Sequence, residues 1–498
     1  DSKSRTNYGR GHFSAVFDPT PKHTAGFDIE YTERSTHMPT LSRTTLGQTQ
    51  SDSRYRQHMD GNTLTATANY IWKIDTLGSQ FKLIADYTRY TSDGDNSYHT
   101  TTCAPGTLRD SLYESATGSV YDILTADAGL TRKLPHGLTL RAGLRYTRND
   151  MADKSRYAAQ TQGTWLALPE YSYDQHYTEQ IGAAYASLEY SAGRWELSAG
   201  LRGEYTSVAS QAFGRSYFGL FPNVSVSRAL NALRTWLLVA QWSRNIERPA
   251  FPALNPARIR ISDYSWQSGN PSLRPTYIHR FSLTAVWKYR YTLTVGGNLH
   301  HDLIREIAHR DATAPDAVYI RPENHYTENH WFVAASVPAK ITRWWNLSVN
   351  AVGVMQRIRL NSTDSPATHY LMFADATCSF TLPAGFFAEA VYRAQSRLYS
   401  GNSEVGPRHT LSATVKKQLF GKRLTLFCTL SNITGCDWEF ASLTDGMRRT
   451  IDTGQAWSGR LWKVGAAWNF RTGKKFRART VESAAETQRK RLVKSTEQ

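Results

Sequence analysis

Two groups of residues in this sequence have types and spacing suited to binding. Between 246 and 275, a run punctuated by Pro249, Pro252, Pro256 and Pro271 carries Arg258, Arg260, Tyr264 and Trp266. Aromatic rings stack on a ligand and guanidinium forks pair with carboxylate, sulfate or phosphate, so this set fits a ligand-contacting external loop. The plainer alternative is a proline-stiffened loop packed on its neighbours. The second group is Arg141, Arg145, Arg202 and Glu204, set in segments where polar and apolar residues alternate. It forms either an internal ion network or a direct ligand contact.

Other chemistry is weakly represented. In "LHHDLIREI" (299–307), His300, His301 and Asp302 are adjacent. Neighbours on a strand point to opposite faces, so the two histidines chelate together only across a bulge, and no metal site is expected. The sequence shows no serine nucleophile elbow, no paired catalytic carboxylates and no phosphate-cradling glycine loop, so neither an enzyme nor a cofactor is expected.

These residues are held by a chain of 498 residues with 59 Lys plus Arg, 42 Asp plus Glu and a net charge of +17. Hydrophobic residues make up 40% and aromatic residues 12%, with 14 Trp and 27 Tyr. Mean hydropathy is -0.50. No apolar run approaches the roughly 18 residues of a membrane helix. Low hydropathy with abundant aromatics suits a membrane β-barrel, where only alternate residues are apolar and aromatics gather at both interfaces. Nucleic acid is not an expected partner, because the positive charge has no recognised fold to present it. Cys103, Cys378, Cys428 and Cys436 have no paired metal spacing; Cys428 and Cys436 either approach across a strand end or stay thiols. The opening "DSKSRTNYGR" lacks the shape of a signal peptide, which implies a removed leader or a start partway through a longer protein.

From residue 11 onward one unit recurs: a strand-like run, a very short turn, a second run, then a longer polar connection. The short turns are "DPTPKHT" (18–24), "DTLGS" (75–79), "PHG" (135–137), "SAGR" (191–194), "ALNALRT" (229–235), "KYRY" (288–291), "KITRW" (340–344), "PAG" (383–385) and "FGKR" (420–423). Long connections are expected at roughly 36–61, 94–119, 150–175, 246–275 and 310–327. Within the runs, Trp195, Leu197, Ala199, Leu201 and Tyr205 share one face, opposite Glu196, Ser198, Arg202 and Glu204. Leu138, Leu140, Ala142, Leu144 and Tyr146 likewise oppose Thr139, Arg141, Arg145 and Thr147. Phe281, Leu283, Ala285, Trp287 and Tyr289 oppose Ser282, Thr284 and Lys288.

Aromatics crowd the short turns: Trp72, Trp195, Trp287, Tyr289, Tyr291, Trp344, Trp345, Phe386, Phe387 and Phe420. Short turns on one side, long loops on the other and an aromatic girdle are the layout of an outer-membrane barrel. The fold class is therefore all-β, a large antiparallel transmembrane barrel over 1–470, with apolar faces toward lipid. About nineteen strands are visible; such barrels close with an even number, so the chain is expected to lack an N-terminal portion.

The segment "WSRNIERPAFPALNPARIRISDYSWQSGNPSLRPTYIHRFSLTAVWKY" (242–289) resembles the barrel of TonB-dependent receptors. More narrowly, it is similar to the outer-membrane β-barrel family that carries a carboxypeptidase-regulatory-like domain and a plug ahead of the barrel. Arg244, Arg248, Pro249, Leu254, Asn255, Pro256, Gly269, Asn270, Pro271, Leu273 and Pro275 carry the likeness, and Thr276 departs from it where the family usually has Glu. Further likeness lies at 201–230, 416–435 and 468–484. The resemblance implies twenty-two strands in the complete protein and a lumen wide enough to need a plug. It also implies ligand uptake, with TonB engaged through an N-terminal region ahead of Asp1. The alternative is a non-transporting structural or accessory subunit of an outer-membrane secretion or protein-insertion complex, alongside other outer-membrane or surface lipoprotein subunits. Outer-membrane lipid and lipopolysaccharide surround either form.

The last periodic run, "LWKVGAAWNF" (461–470), puts Trp462, Val464, Ala466, Trp468 and Phe470 on the lipid face. Residues 471–498 carry nine Lys or Arg against three Glu and are expected to form a solvated, basic periplasmic tail. One strand separates lipid from lumen: Leu283→Arg should destabilise the barrel by about 2–4 kcal/mol and Thr284→Arg far less, read from unfolding in bilayers. Equal costs would place something other than lipid outside Leu283.

Overall fold

The structure is a computed structural model that describes residues 4–492, apart from 212, 257, 263, 312–316, 437, 445–446, 454–458 and 471–480. Its main sheet has 22 strands. Three of these are short pieces within connections: Thr164–Ala167, Ile259–Ser262 and Ser265–Gln267. The other nineteen form the wall, each antiparallel to its neighbour in chain order from Arg5–Thr20 to Leu461–Trp468. Among the described residues no ladder joins those two end strands.

Burial in this sheet is inverted relative to a soluble protein. Leu144 and Phe218 are 65% and 64% exposed, whereas Glu179 is 1% exposed and Thr125 and Glu328 are 0%. Alternation explains it: Leu140, Leu144 and Tyr146 face out from Leu138–Thr161, while Thr139, Thr147 and Asn149 face in. An exposed apolar band of this size is stable only where acyl chains solvate it. The band ends where charge appears on the outer face, at Arg89–Asp122 (3.4 Å) and Arg148–Asp150 (2.7 Å). From Leu138 to Tyr146 that is roughly 25 Å along the strand.

All nine short turns lie at one end of the wall, joining strands across 21–22, 74–79, 134–137, 193–194, 230–235, 288–290, 341–344, 383–385 and 420–423. "PHG" and "PAG" use one geometry, with His136 and Ala384 left-handed (φ 61° and 56°) before a left-handed glycine. Gly137 cannot be replaced, because a Cβ there would lie 2.2 Å from the Ser191 carbonyl oxygen. Lys288 and Tyr289 fall in such a turn, so the alternating strand stops at Trp287. Aromatics ring this end. Trp236 stacks on Trp287 (5.6 Å), Trp344 on Phe380 (6.0 Å), and the Arg228 guanidinium lies 4.7 Å over Trp195.

The opposite end differs from the sequence reading. Most of 36–61, 94–119 and 150–175 is strand rather than loop: His23–Leu46 runs into Thr49–Lys73 and Gln80–Ala104 into Thr107–Lys133, with only two residues between them. These extensions stand clear of the apolar band, so polar residues occupy both faces and the alternating pattern disappears. Cross-strand pairs hold them instead. Arg43 Nε donates to Asp52 (2.6 Å), Thr101 to Asp110 (2.6 Å), and Tyr55 meets Tyr98 edge-on at 5.4 Å.

Farther along the chain this rim carries a separate four-stranded sheet, Leu398–Ser400, Ser403–Val405, Trp438–Thr444 and Met447–Thr453. Asn402 fastens it to the wall through both polar groups of Ala308 (3.0 and 2.7 Å). Although burial opposes it, hydrogen bonds from Arg397 and Arg448 hold the Glu404 carboxyl in this sheet below its ordinary range. Amide exchange tests the strand extensions: protection should continue through Arg43 to Asp52, whereas a free loop would exchange there at once.

Candidate functional site

Residues 248–256 and 268–275 turn inward and fill part of the lumen, where the sequence reading placed an external loop. Pro252 at the start of the short helix Phe251–Leu254 fixes its φ, and Asn255 N–H closes it on the Pro252 carbonyl (3.3 Å). Phe251, Leu254 and Leu273 are buried against Tyr121, Ile123, Met151, Tyr177 and Val208 of the wall. Two loop crossings are pinned by backbone: Gly269 N–H to the Asn255 carbonyl (2.9 Å) and Asn270 N–H to the Ala253 carbonyl (2.7 Å). At Gly269 a Cβ would lie 2.1 Å from the Asn255 oxygen, which explains a glycine in "GNPSL". Thr276, the departure from the family pattern, is buried and donates to the Asp302 carbonyl (3.0 Å).

Beside this apolar knot lies a buried ion network. Arg248 Nη2 donates to Glu204 Oε2 (2.7 Å) and Thr206 Oγ1 (2.9 Å), and its Nε is 3.9 Å from Glu179 Oε1. Arg202 Nε donates to Glu204 Oε1 (2.5 Å). Glu179 also accepts from Asn149 Nδ2 (2.9 Å) and from Arg491. Burying two carboxylates costs several kcal/mol each unless guanidinium partners and hydrogen bonds satisfy them, and here they do.

The expected residues separate into two places. Arg202 and Glu204 join the network, Arg145 pairs with Asp127 (2.7 Å), and Arg141 makes a bidentate pair with Glu189 (3.0 and 3.1 Å). Each of these lumen arginines is thus held by a carboxylate. At the mouth, Arg258 lies 5.1 Å over Tyr171, and Trp266 stacks on the same ring at 6.3 Å. Tyr264 is nearby in chain and its carbonyl receives Val318 N–H (2.9 Å). The side chain of Arg260 is outside the described residues.

His300 and His301 diverge. His300 Nδ1 lies 2.7 Å from the Glu328 carbonyl oxygen, while His301 is exposed against Tyr326. Asp302, at φ 58°, pairs with Arg274 (2.6 Å).

Another buried carboxylate, like Glu179, escaped the sequence reading. Glu328 accepts from Arg305 Nη2 (2.9 Å) and Gln356 Nε2 (2.8 Å), with His330 Nε2 also at 2.8 Å. Between this cluster and the infolded loop lies a cavity of about 310 Å³, lined by Ala250, Pro252, Asn255, Gly269, Arg305 and Glu306. Charged residues on an inward face were the available clue for Glu179 and Glu328. Their partners are remote in sequence, so pairing was not legible.

Residues 72–465 match the model of the outer membrane protein beta-barrel family. No curated protein matches the chain in sequence. Among the solved structures that share the fold are three receptors. The ferric-catecholate import receptor Fiu from E. coli K12 is 10% identical, with a TM-score of 0.58 over 94% of this chain and 81% of that one. The ferric yersiniabactin uptake receptor FyuA from Yersinia pestis is 10% identical, with a TM-score of 0.50 over 95% and 80%. The siderophore receptor PiuA from Acinetobacter baumannii is 9% identical, with a TM-score of 0.50 over 93% and 80%.

The network makes a sharp stability demand. Arg248→Met should destabilise the barrel by about 3–5 kcal/mol, because it leaves buried Glu204 with Arg202 as its one guanidinium partner among the described residues and removes the 3.9 Å contact of Glu179. Arg141→Met, at a half-exposed pair, should cost at most about 1 kcal/mol. Thermal unfolding in detergent compares them, and equal losses would contradict the network.

Proposed function

Because the chain belongs to the outer membrane protein beta-barrel family, we propose that it is a ligand-uptake receptor energised through TonB. One observation carries the reading: a lumen narrowed by an infolded loop, with a 310 Å³ cavity beside the narrowing. A barrel built only as a scaffold has no need of a shaped cavity in its passage. The likeness in fold to receptors that import ferric chelates supports the same reading.

Arg258, Tyr171 and Trp266 are the proposed first contacts at the mouth. Two stacked rings beneath a guanidinium suit an anionic or aromatic cargo. Arg141, Arg145, Arg202 and Glu204, each committed to a partner, shape the lumen and set its field rather than grip the cargo. Enzymatic activity forms no part of the reading, and lipopolysaccharide and outer-membrane lipid are the surroundings of the wall.

Depletion of a culture extract tests the reading. Cells with the protein and TonB should remove at least one compound, identified by mass spectrometry, that cells lacking either leave behind. Replacing Arg258 and Trp266 together with Ala should slow that removal. Depletion that persists without TonB would refute energised uptake. No depletion, with other outer-membrane subunits copurifying, would favour the scaffold.

A further inference from the structure

The lumen wall holds a second, linear site, and part of the chain's own C-terminal segment lies in it. The sequence reading expected a solvated tail, yet residues 481–492 contact the inward face in sequence order. Glu482 receives Lys82 Nζ (2.6 Å), and Ala484 N–H donates to Asp86 Oδ2 (2.7 Å). Gln488 Oε1 accepts from Asn149 Nδ2 (3.3 Å). Arg491 Nε donates to the Pro249 carbonyl (3.0 Å), its Nη1 bonds Glu179, and its guanidinium lies 4.3 Å over Phe251.

The order of these contacts has a direction. Lys82 and Asp86 are near the short-turn end of their strand, Asn149 is farther along its own, and Pro249 begins the infolded loop. The segment therefore climbs the lumen from the short-turn end to the constriction. Its apolar side chains go the same way: Ala485 is fully buried, and Leu492 packs on the knot of Phe251 and Leu254.

Glu179 gives the strongest argument. Its contact with Arg248 is long, at 3.9 Å, because Arg248 is drawn to Glu204 at 2.7 Å. Among the described residues, the guanidinium bonded closely to Glu179 is that of Arg491, whose side chain is only 8% exposed. A carboxylate this buried calls for a cation from outside the wall.

We propose that the strip from Asp86 through Asn149 to Glu179 is a docking site for a basic peptide whose last residues coil into the short helices Glu486–Arg489 and Lys490–Leu492 and whose arginine enters the constriction. Its occupant is the chain's own segment 481–492, which closes part of the lumen in cis. Anything that crosses the lumen competes with this segment for the strip. The inference rests on lumen geometry and stands whether or not the cargo reading does.

Disulfide trapping in the full-length chain, in outer membranes, tests it. Two double variants, Asp86→Cys with Ala484→Cys and Lys82→Cys with Glu482→Cys, are oxidised and the linked peptides counted by mass spectrometry. Both pairs should link within one chain. Adding Arg491→Glu should lower the 86–484 yield at least about ten-fold, and Glu179→Arg in the same chain should restore it. Gel mobility before and after heating reports whether each variant is a folded barrel. If the reversed pair does not fold, Arg491→Gln must still lower the yield. Folded chains that fail to link, or a yield indifferent to Arg491, would overturn the proposal. Loss without restoration by Glu179→Arg would overturn the pairing at the constriction.

Discussion

Every feature of this molecule follows from the condition that acyl chains offer no hydrogen bonds. A backbone that crosses them must satisfy its own N–H and C=O groups, and neighbouring antiparallel strands do so without help from solvent. Once the wall is a sheet, period-two alternation forces its two faces apart in chemistry. The face toward lipid takes Leu, Phe, Val and Trp, and the other receives nearly all the charge. Inverted burial is the mark of this arrangement: Glu179 hidden and Leu144 bare in the same protein.

A polar interior then poses a second problem, because charge withdrawn from bulk water must be compensated locally. The lumen answers with pairs, Arg145–Asp127 and Arg305–Glu328 among them, and with the network that joins Arg202, Glu204, Arg248 and Glu179. The infolded loop adds what the wall lacks, a compact apolar knot around Phe251, Leu254 and Leu273. Salt bridge and knot meet at Arg491, which pairs with Glu179 while stacking on Phe251.

The sequence was readable where one physical constraint dominates. Lipid on one side of Trp195–Ser210 or Leu138–Thr161 imposes alternation, so strand, face and turn could all be placed. Above the membrane, water on both sides removes that constraint, and the extensions through Arg43–Asp52 read as loop although they are strand. The candidate site was partly legible for a related reason. Inward charges such as Arg145 and Glu204 stand out by face, but Asp127 and Arg248 lie too far away in sequence to be named as partners. For the segment after the last wall strand, composition argued against a packed core. Composition counts apolar residues within a segment and is blind to a wall that supplies the other half of the contact, as Asp86 and Glu179 do for 481–492.

The arrangement stands on which medium touches each face of the wall. Nitroxide labels placed one at a time along Thr276–Trp287, in liposomes, measure it through collision with oxygen, which partitions into lipid, and with a water-soluble nickel chelate. Oxygen access should rise and fall with a period of two, peaking at Phe281, Leu283 and Ala285 and falling at Ser282 and Thr284. A profile without that period, or with the nickel chelate strongest at Leu283, would contradict the account.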